Sequence, residues 1–145
     1  MEIRIIKTEK EISRLVDLFI GVFSEKPYKE KWERKSAGKR LRQLYDEARG
    51  FCLYAEDRGR VIGLVFCQLL TWPEGNHLII EDLVVNKKCR EKGAGAALIN
   101  KLEEIAKKEG ISAIDLLVHK KAHATEFWKK QKYRQTKYIQ YTKSL

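Results

Sequence analysis

Cysteine is scarce in this sequence: three residues (Cys52, Cys67, Cys89) with no C-x-x-C spacing. That excludes a disulfide framework, and Cys52 and Cys67 lie in apolar runs where reduced, buried thiols are the expectation. Three isolated histidines (His77, His119, His123) show no metal-ligand spacing, so no metal is expected. No apolar run approaches membrane-spanning length, and the opening Met-Glu-Ile-Arg-Ile-Ile-Lys reaches charge too soon for a signal peptide. A cytoplasmic protein without a membrane partner is the expectation. With two prolines, no repeat and no low-complexity tract, nothing divides the chain.

What is present fits one domain over residues 1–145, long enough for a full core. The chain is 43% hydrophobic and 34% charged, with net charge +10. Such a balance suits a polyanion, whether nucleic acid, an anionic membrane surface or a phosphorylated cofactor. Charge alone does not choose among them.

Ile3 to Ile6 read as a strand. Thr8 opens a helix with capping-box spacing to Glu11, and Ile12, Leu15, Val16, Phe19 and Phe23 share its inner face. A charged connector, Glu25 to Lys35, leads to a second helix capped by Ser36 and ending near Gly50. Phe51 to Glu56 and Val61 to Leu70 form a hairpin about Asp57-Arg58-Gly59-Arg60. After a turn over Thr71 to Asn76, His77 to Val85 reads as a strand and Ala94 to Lys108 as a helix stopped by Gly110. Glu103/Lys107 and Glu104/Lys108 are spaced for i,i+4 pairs. Ala113 to Val118 reads as a strand, Ala122 to Gln131 as a short helix and Thr136 to Lys143 as a final strand. The order βααβββαβαβ predicts a mixed α/β sheet flanked by helices.

The segment Arg90-Glu91-Lys92-Gly93-Ala94-Gly95-Ala96 joins a strand to a helix through glycines. Backbone N–H groups there can converge on one concavity, and the helix dipole favours an anion. Lys87, Lys88, Arg90 and Lys92 reinforce that sign. Neither G-x-x-x-x-G-K-[ST] nor G-x-G-x-x-G is present, so the loop alone fits a phosphate cradle or a plain strand–helix turn.

Val85 to Ala96 resembles the V-x-x-x-x-[RQ]-x-x-G-x-[GA] signature of the GNAT N-acetyltransferase superfamily. Glu81-Asp82-Leu83-Val84-Val85 resembles the strand that precedes it. Ala124-Thr125-Glu126-Phe127-Trp128 through Tyr133 is similar to the family's A-x-x-F-Y-x-x-x-G-F segment. The resemblance implies a central, mostly antiparallel sheet and acetyl-CoA as cofactor. It implies a pyrophosphate at Arg90, Glu91, Lys92, Gly93, Ala94, Gly95 and Ala96, with the pantetheine and acetyl group along Leu83, Val84 and Val85. An N–H near Val84 or Val85 would polarise the thioester carbonyl. Lys121, Phe127 and Trp128 fall on further cofactor positions.

Acetyl transfer needs a neutral amine, so a base must take a proton from the ammonium. Glu81, beside the implied acetyl position, is the candidate base and an acceptor contact. Strand alternation sends Asp82 to the opposite face unless a bulge intervenes. Tyr28 and Trp32 are the candidate acceptor contacts, and equally candidate pins of the connector to the core. The sequence departs from the family at Trp128, where a tyrosine commonly protonates the departing sulfur; an indole cannot, so Tyr133, Tyr138 or water would substitute. Lys132 replaces a glycine, and Lys121 stands where asparagine is frequent. The implied partner is a small-molecule or peptide amine, and a homodimer is left open. The alternatives are an acetyl-CoA binder without turnover, and a basic nucleic-acid module built on Lys29 to Arg42 and the aromatic-interleaved Lys120 to Lys143.

Overall fold

Apolar residues alternate with polar ones along β1 (Glu2–Ile5), which turns Ile3 and Ile5 towards the core. The computed structural model describes residues 1–145. Beyond β1 lie a 3₁₀ turn (Glu9–Arg14), α1 (Val16–Phe23), α2 (Arg34–Glu47), β2 (Leu53–Asp57), β3 (Arg60–Trp72), β4 (Gly75–Val85), a second 3₁₀ turn (Lys87–Lys92), α3 (Ala94–Lys108), β5 (Ala113–Leu116) and α4 (Ala124–Lys130). The sheet is five-stranded in the order β1-β2-β3-β4-β5, antiparallel throughout except for the parallel β4–β5 pair.

The two sheet faces hold separate cores. One packs Leu53, Val65, Leu78 and Ile80 under Leu98, Ile99 and Leu102 of α3 and Trp128 of α4. The other packs Tyr54, Leu64, Phe66 and Val84 under Phe19 of α1 and Leu41 and Leu44 of α2. Burying these apolar side chains contributes about 1.5–3 kcal/mol each, the dominant favourable term.

Local signals set the boundaries, with instructive shifts. The Glu11 carboxylate accepts from the N–H groups of Lys7 and Thr8, at 2.9 Å each, as the capping-box spacing predicts. The first helix nevertheless starts as a 3₁₀ turn and becomes α-helical at Val16. α2 begins at Arg34 rather than after Ser36. Glu33 takes the N-cap, and Ser36 Oγ accepts the Glu33 N–H at 3.2 Å from inside the first turn. The hairpin turn narrows to Arg58-Gly59, and the next turn to Pro73-Glu74. Lys108 pairs with Glu104 at 2.8 Å, but the expected Glu103–Lys107 pair is absent. The Tyr133 hydroxyl instead donates to Glu103 at 3.1 Å.

The predicted last strand does not form. Thr136 to Lys143 pair with no strand, and every residue from Arg134 to Leu145 is exposed. Alternating Thr, Tyr and Ile satisfy strand propensity, but propensity needs an edge to pair with and a face to bury.

Candidate functional site

β4 carries the site, and its geometry turns on one extra residue. The β3–β4 register runs from Gly63↔Val85 to Phe66↔Asp82, then resumes at Cys67↔Ile80, so Glu81 is a bulge. A bulge reverses which side chains face which side. Leu78 and Ile80 therefore point into the α3 core, whereas Val84 points into the α1–α2 core. This corrects the expectation from simple alternation, which kept Glu81 and Asp82 apart. Both carboxylates meet the same guanidinium: Arg40 Nε donates to Asp82 at 2.9 Å, and its Nη2 reaches Asp82 at 3.2 Å and Glu81 at 3.4 Å.

Asp82 is buried, and that burial raises its pKa although Arg40 pulls it back. Glu81 keeps 31% of its side chain in solvent. No sequence motif points to Arg40. Its only signal was a place on a basic helix, and the fold alone brings it to β4.

The bulge also marks where the sheet opens. β5 pairs with β4 only from His77↔Ala113 to Ile80↔Leu116, which leaves Glu81 to Val85 without a partner on that side. The Asn86 N–H donates to the Ile62 carbonyl at 2.8 Å, making Asn86 and Ile62 a hydrogen-bonded pair. By antiparallel alternation, the N–H groups of Val84 and Asp82 then face β3, whereas those of Leu83 and Val85 face the open edge. The free donors are thus Leu83 and Val85. Val84, also expected as a donor, points its N–H inward.

The open edge leads to the N-terminus of α3. Asn86 Oδ1 accepts the Lys88 N–H at 3.0 Å and starts the 3₁₀ turn. Gly93 then takes φ +77, a left-handed conformation that glycine adopts without strain. The first helical bond runs from the Ala97 N–H to the Gly93 carbonyl at 2.9 Å, and no side chain caps the helix. The N–H groups of Ala94, Gly95 and Ala96 precede that bond and point out of the helix end. Lys88, Arg90 and Lys92 stand around it without ion-pair partners, while Lys87 reaches Glu25 at 3.6 Å.

Gly95 serves a different purpose from Gly93. A Cβ there would meet the Phe127 ring at 3.3 Å and Val85 Cγ2 at 3.6 Å. Its missing side chain lets α4 close on α3 and β4; it does not clear the way for an anion.

The remaining candidates scatter. Trp128 is buried in the α3 core, edge-on to Phe127 and Tyr133. Lys121 is exposed in the turn before α4, its N–H on His119 Nδ1 at 3.1 Å. Tyr28 stacks edge-on against Phe23 and His119, with ring centroids 4.9 and 5.8 Å apart, and burial raises its pKa despite nearby Arg90. Trp32 packs edge-on against Phe19 at 5.2 Å, with Arg40 5.9 Å above its ring. Trp32 also borders a cleft of about 760 Å³ lined by Lys26, Lys29, Lys31, Lys87, Glu25 and Glu30. Neither Tyr133 nor Tyr138 reaches β4's open edge as a proton donor: Tyr133 is bonded to Glu103, and Tyr138 lies on the exposed tail. No three His, Cys, Asp or Glu residues gather to hold a metal, and no helix is long and apolar enough to cross a membrane.

A mixed sheet thus opens beside an uncapped, base-ringed helix N-terminus. A family model described as the acetyltransferase (GNAT) family matches residues 13–133, and the chain belongs to that family. Solved structures are similar in fold. A possible acetyltransferase from Clostridium difficile 630 superposes with TM-score 0.83 at 18% identity, over 99% of this chain and 97% of its own. A ribosomal-protein-alanine N-acetyltransferase from Brucella melitensis biovar Abortus 2308 gives 0.80 at 18% identity over all of both chains. An aminoglycoside acetyltransferase from an uncultured soil metagenomic sample gives 0.77 at 18%, over 99% and 95%. No curated protein sequence matches. The chain is an acetyltransferase enzyme of the GNAT superfamily.

Proposed function

We propose that this enzyme moves an acetyl group from acetyl-CoA to a primary amine by direct attack in a ternary complex. The observation that carries the reading is the continuity of unfilled donors, from Leu83 and Val85 on the open edge of β4 to Ala94, Gly95 and Ala96 at the start of α3. An extended amide-bearing arm ending in a pyrophosphate has the complementary chemistry. The residues present therefore fit acetyl-CoA, which would supply the activated thioester.

The chain's own groups divide the work. The α3 N-terminus with Arg90 and Lys92 holds the anionic end; Phe127, against Gly95, supports the cradle from α4, with Trp128 packed behind it. The N–H of Leu83 or Val85 stands where it can donate to a carbonyl oxygen that gains charge during attack. Glu81, at the bulge and open to solvent, takes the proton from the acceptor ammonium, whose ordinary pKa is ~10.4. Neither Tyr133 nor Tyr138 stands ready to protonate the sulfur, so a thiolate of pKa ~8.5 departs unaided or through water.

Acceptor contacts are assigned to Trp32 and Tyr28. The carboxylates nearest the transfer point already hold Arg40, and the cleft bordered by Trp32 sets four lysines against two glutamates. That balance favours a primary amine bearing a carboxylate or phosphate over a polycation. Thiol release from acetyl-CoA with paired panels, anionic amines and polyamines, tests both statements. No release with any amine above the rate without one would refute the acetyltransfer reading.

A further inference from the structure

One guanidinium is shared between a buried carboxylate and an open one. Arg40, on α2, turns one edge on Asp82: Nε donates to Oδ2 at 2.9 Å and Nη2 to Oδ1 at 3.2 Å. Two donors meeting two oxygens fix the plane of a guanidinium as well as its place. Asp82 keeps only 3% of its surface in solvent, so the anchor sits in packed protein. The Trp32 ring, 5.9 Å from Arg40 Cζ, constrains the same group from another side.

Nη2 has a second N–H, and Glu81 Oε2 lies 3.4 Å from that nitrogen. The separation exceeds that of a strong hydrogen bond, so the contact steers the carboxylate by charge more than it locks it. No hydrogen bond engages Glu81 Oε1, and 31% of the side chain is open to solvent. A free glutamate side chain on a strand samples several rotamers, and holding one of them costs entropy. Consecutive carboxylates reach one cation only because the bulge at Glu81 puts them on the same side of β4.

We propose that Arg40 is a positioning residue for acetyl transfer: anchored on Asp82, it holds Glu81 Oε2 and so presents Oε1 to the acceptor ammonium. The inference rests on Glu81 being the base of the proposed reaction. In that step the proton leaves the ammonium nitrogen for Oε1, and the lone pair it leaves behind attacks the thioester. Arg40 exchanges no proton, because a guanidinium stays charged in a protein. Lysine is not its equivalent here. One ammonium can balance Asp82, but it cannot offer a planar fork to one carboxylate and a further donor to the next.

The test is thiol release from acetyl-CoA, with the fastest amine of the two panels, for the unmodified enzyme, Arg40→Lys, Glu81→Gln and the double variant. Arg40→Lys should lower kcat about tenfold and leave the KM for acetyl-CoA unchanged. In the Glu81→Gln background the same change should cost nothing more, because the group it positions is gone. Arg40→Leu combined with Asp82→Leu replaces the buried pair by apolar side chains, a change that often preserves stability, and should lose kcat to the same extent. Full kcat in Arg40→Lys or in the paired leucine variant overturns the proposal. So does a loss that is equal with and without Glu81, the mark of a merely structural role. An unchanged kcat in Glu81→Gln alone has a different meaning: it removes the base from the reaction, and the positioning role with it.

Discussion

Arg40 is the residue on which the site's electrostatics turn. It holds Asp82, a carboxylate whose pKa burial raises and Arg40 pulls back. Arg40→Met should destabilise the fold by about 2 kcal/mol, below the usual cost of an orphaned buried charge because the guanidinium is a third exposed. Asp82 would then have a folded-state pKa raised further above its unfolded value. The penalty is therefore full at neutral pH and fades as pH falls through that raised pKa, which thermal melts across a pH series would show. Glu81→Gln tests a different property. It should lower kcat by about 10²-fold with little change in melting temperature, and an unchanged kcat in the thiol-release assay would remove Glu81 from the mechanism. Glu81 is proposed from its setting before the loop, which the sequence shows. Its shared partner is not legible there, because the bulge depends on pairing with β3 and Arg40 lies 41 positions away.

At the scale of elements, the turn into α3 was readable and the purpose of its second glycine was not. Gly93 sets the left-handed turn, a local requirement that sequence can announce; Gly95 makes room for Phe127, a contact that exists only after folding. Gly95→Glu should consequently lower the melting temperature of the ligand-free protein by several degrees, as overpacking by about 1–3 kcal/mol implies. It is a poor probe of anion binding. Arg90→Glu with Lys92→Glu is the better one: acetyl-CoA stabilisation in a thermal melt should shrink while the ligand-free melting temperature holds. The β4–β5 pair has its own marker. Asp115, at 2.7 Å, and then Glu74, at 2.6 Å, raise the His77 pKa above its usual 6.5. A cation stabilised in the fold contributes fully below the unfolded pKa and is lost as pH rises through the folded one. His77→Ala should thus reduce the melting temperature at pH ~6 and have less effect at pH ~9, and the His77 ring protons should titrate above ~6.5.

For the whole molecule, the sequence pattern conveyed the class of fold, the order of its first nine elements and the position of the glycine-bearing turn into α3. Periodicity and capping are local, and those elements bury what their patterns present. The tail shows the limit: its strand pattern is plain, but pairing is a property of an available edge, and the chain's own sheet does not take it up. The same holds for chemistry. In the proposed function the loop and the strand before it take the cofactor, whereas the acceptor meets side chains on α2 and the connector that come together only in three dimensions. The sharpest measurement of the central claim is the thiol-release assay with acetyl-CoA and matched amine panels, run with product mass detection. The account predicts free CoA and acetylated amine in equal amounts, fastest with amines that carry an anionic group. Acetyl-CoA that stabilises the protein yet yields no acetylated amine from either panel would contradict it.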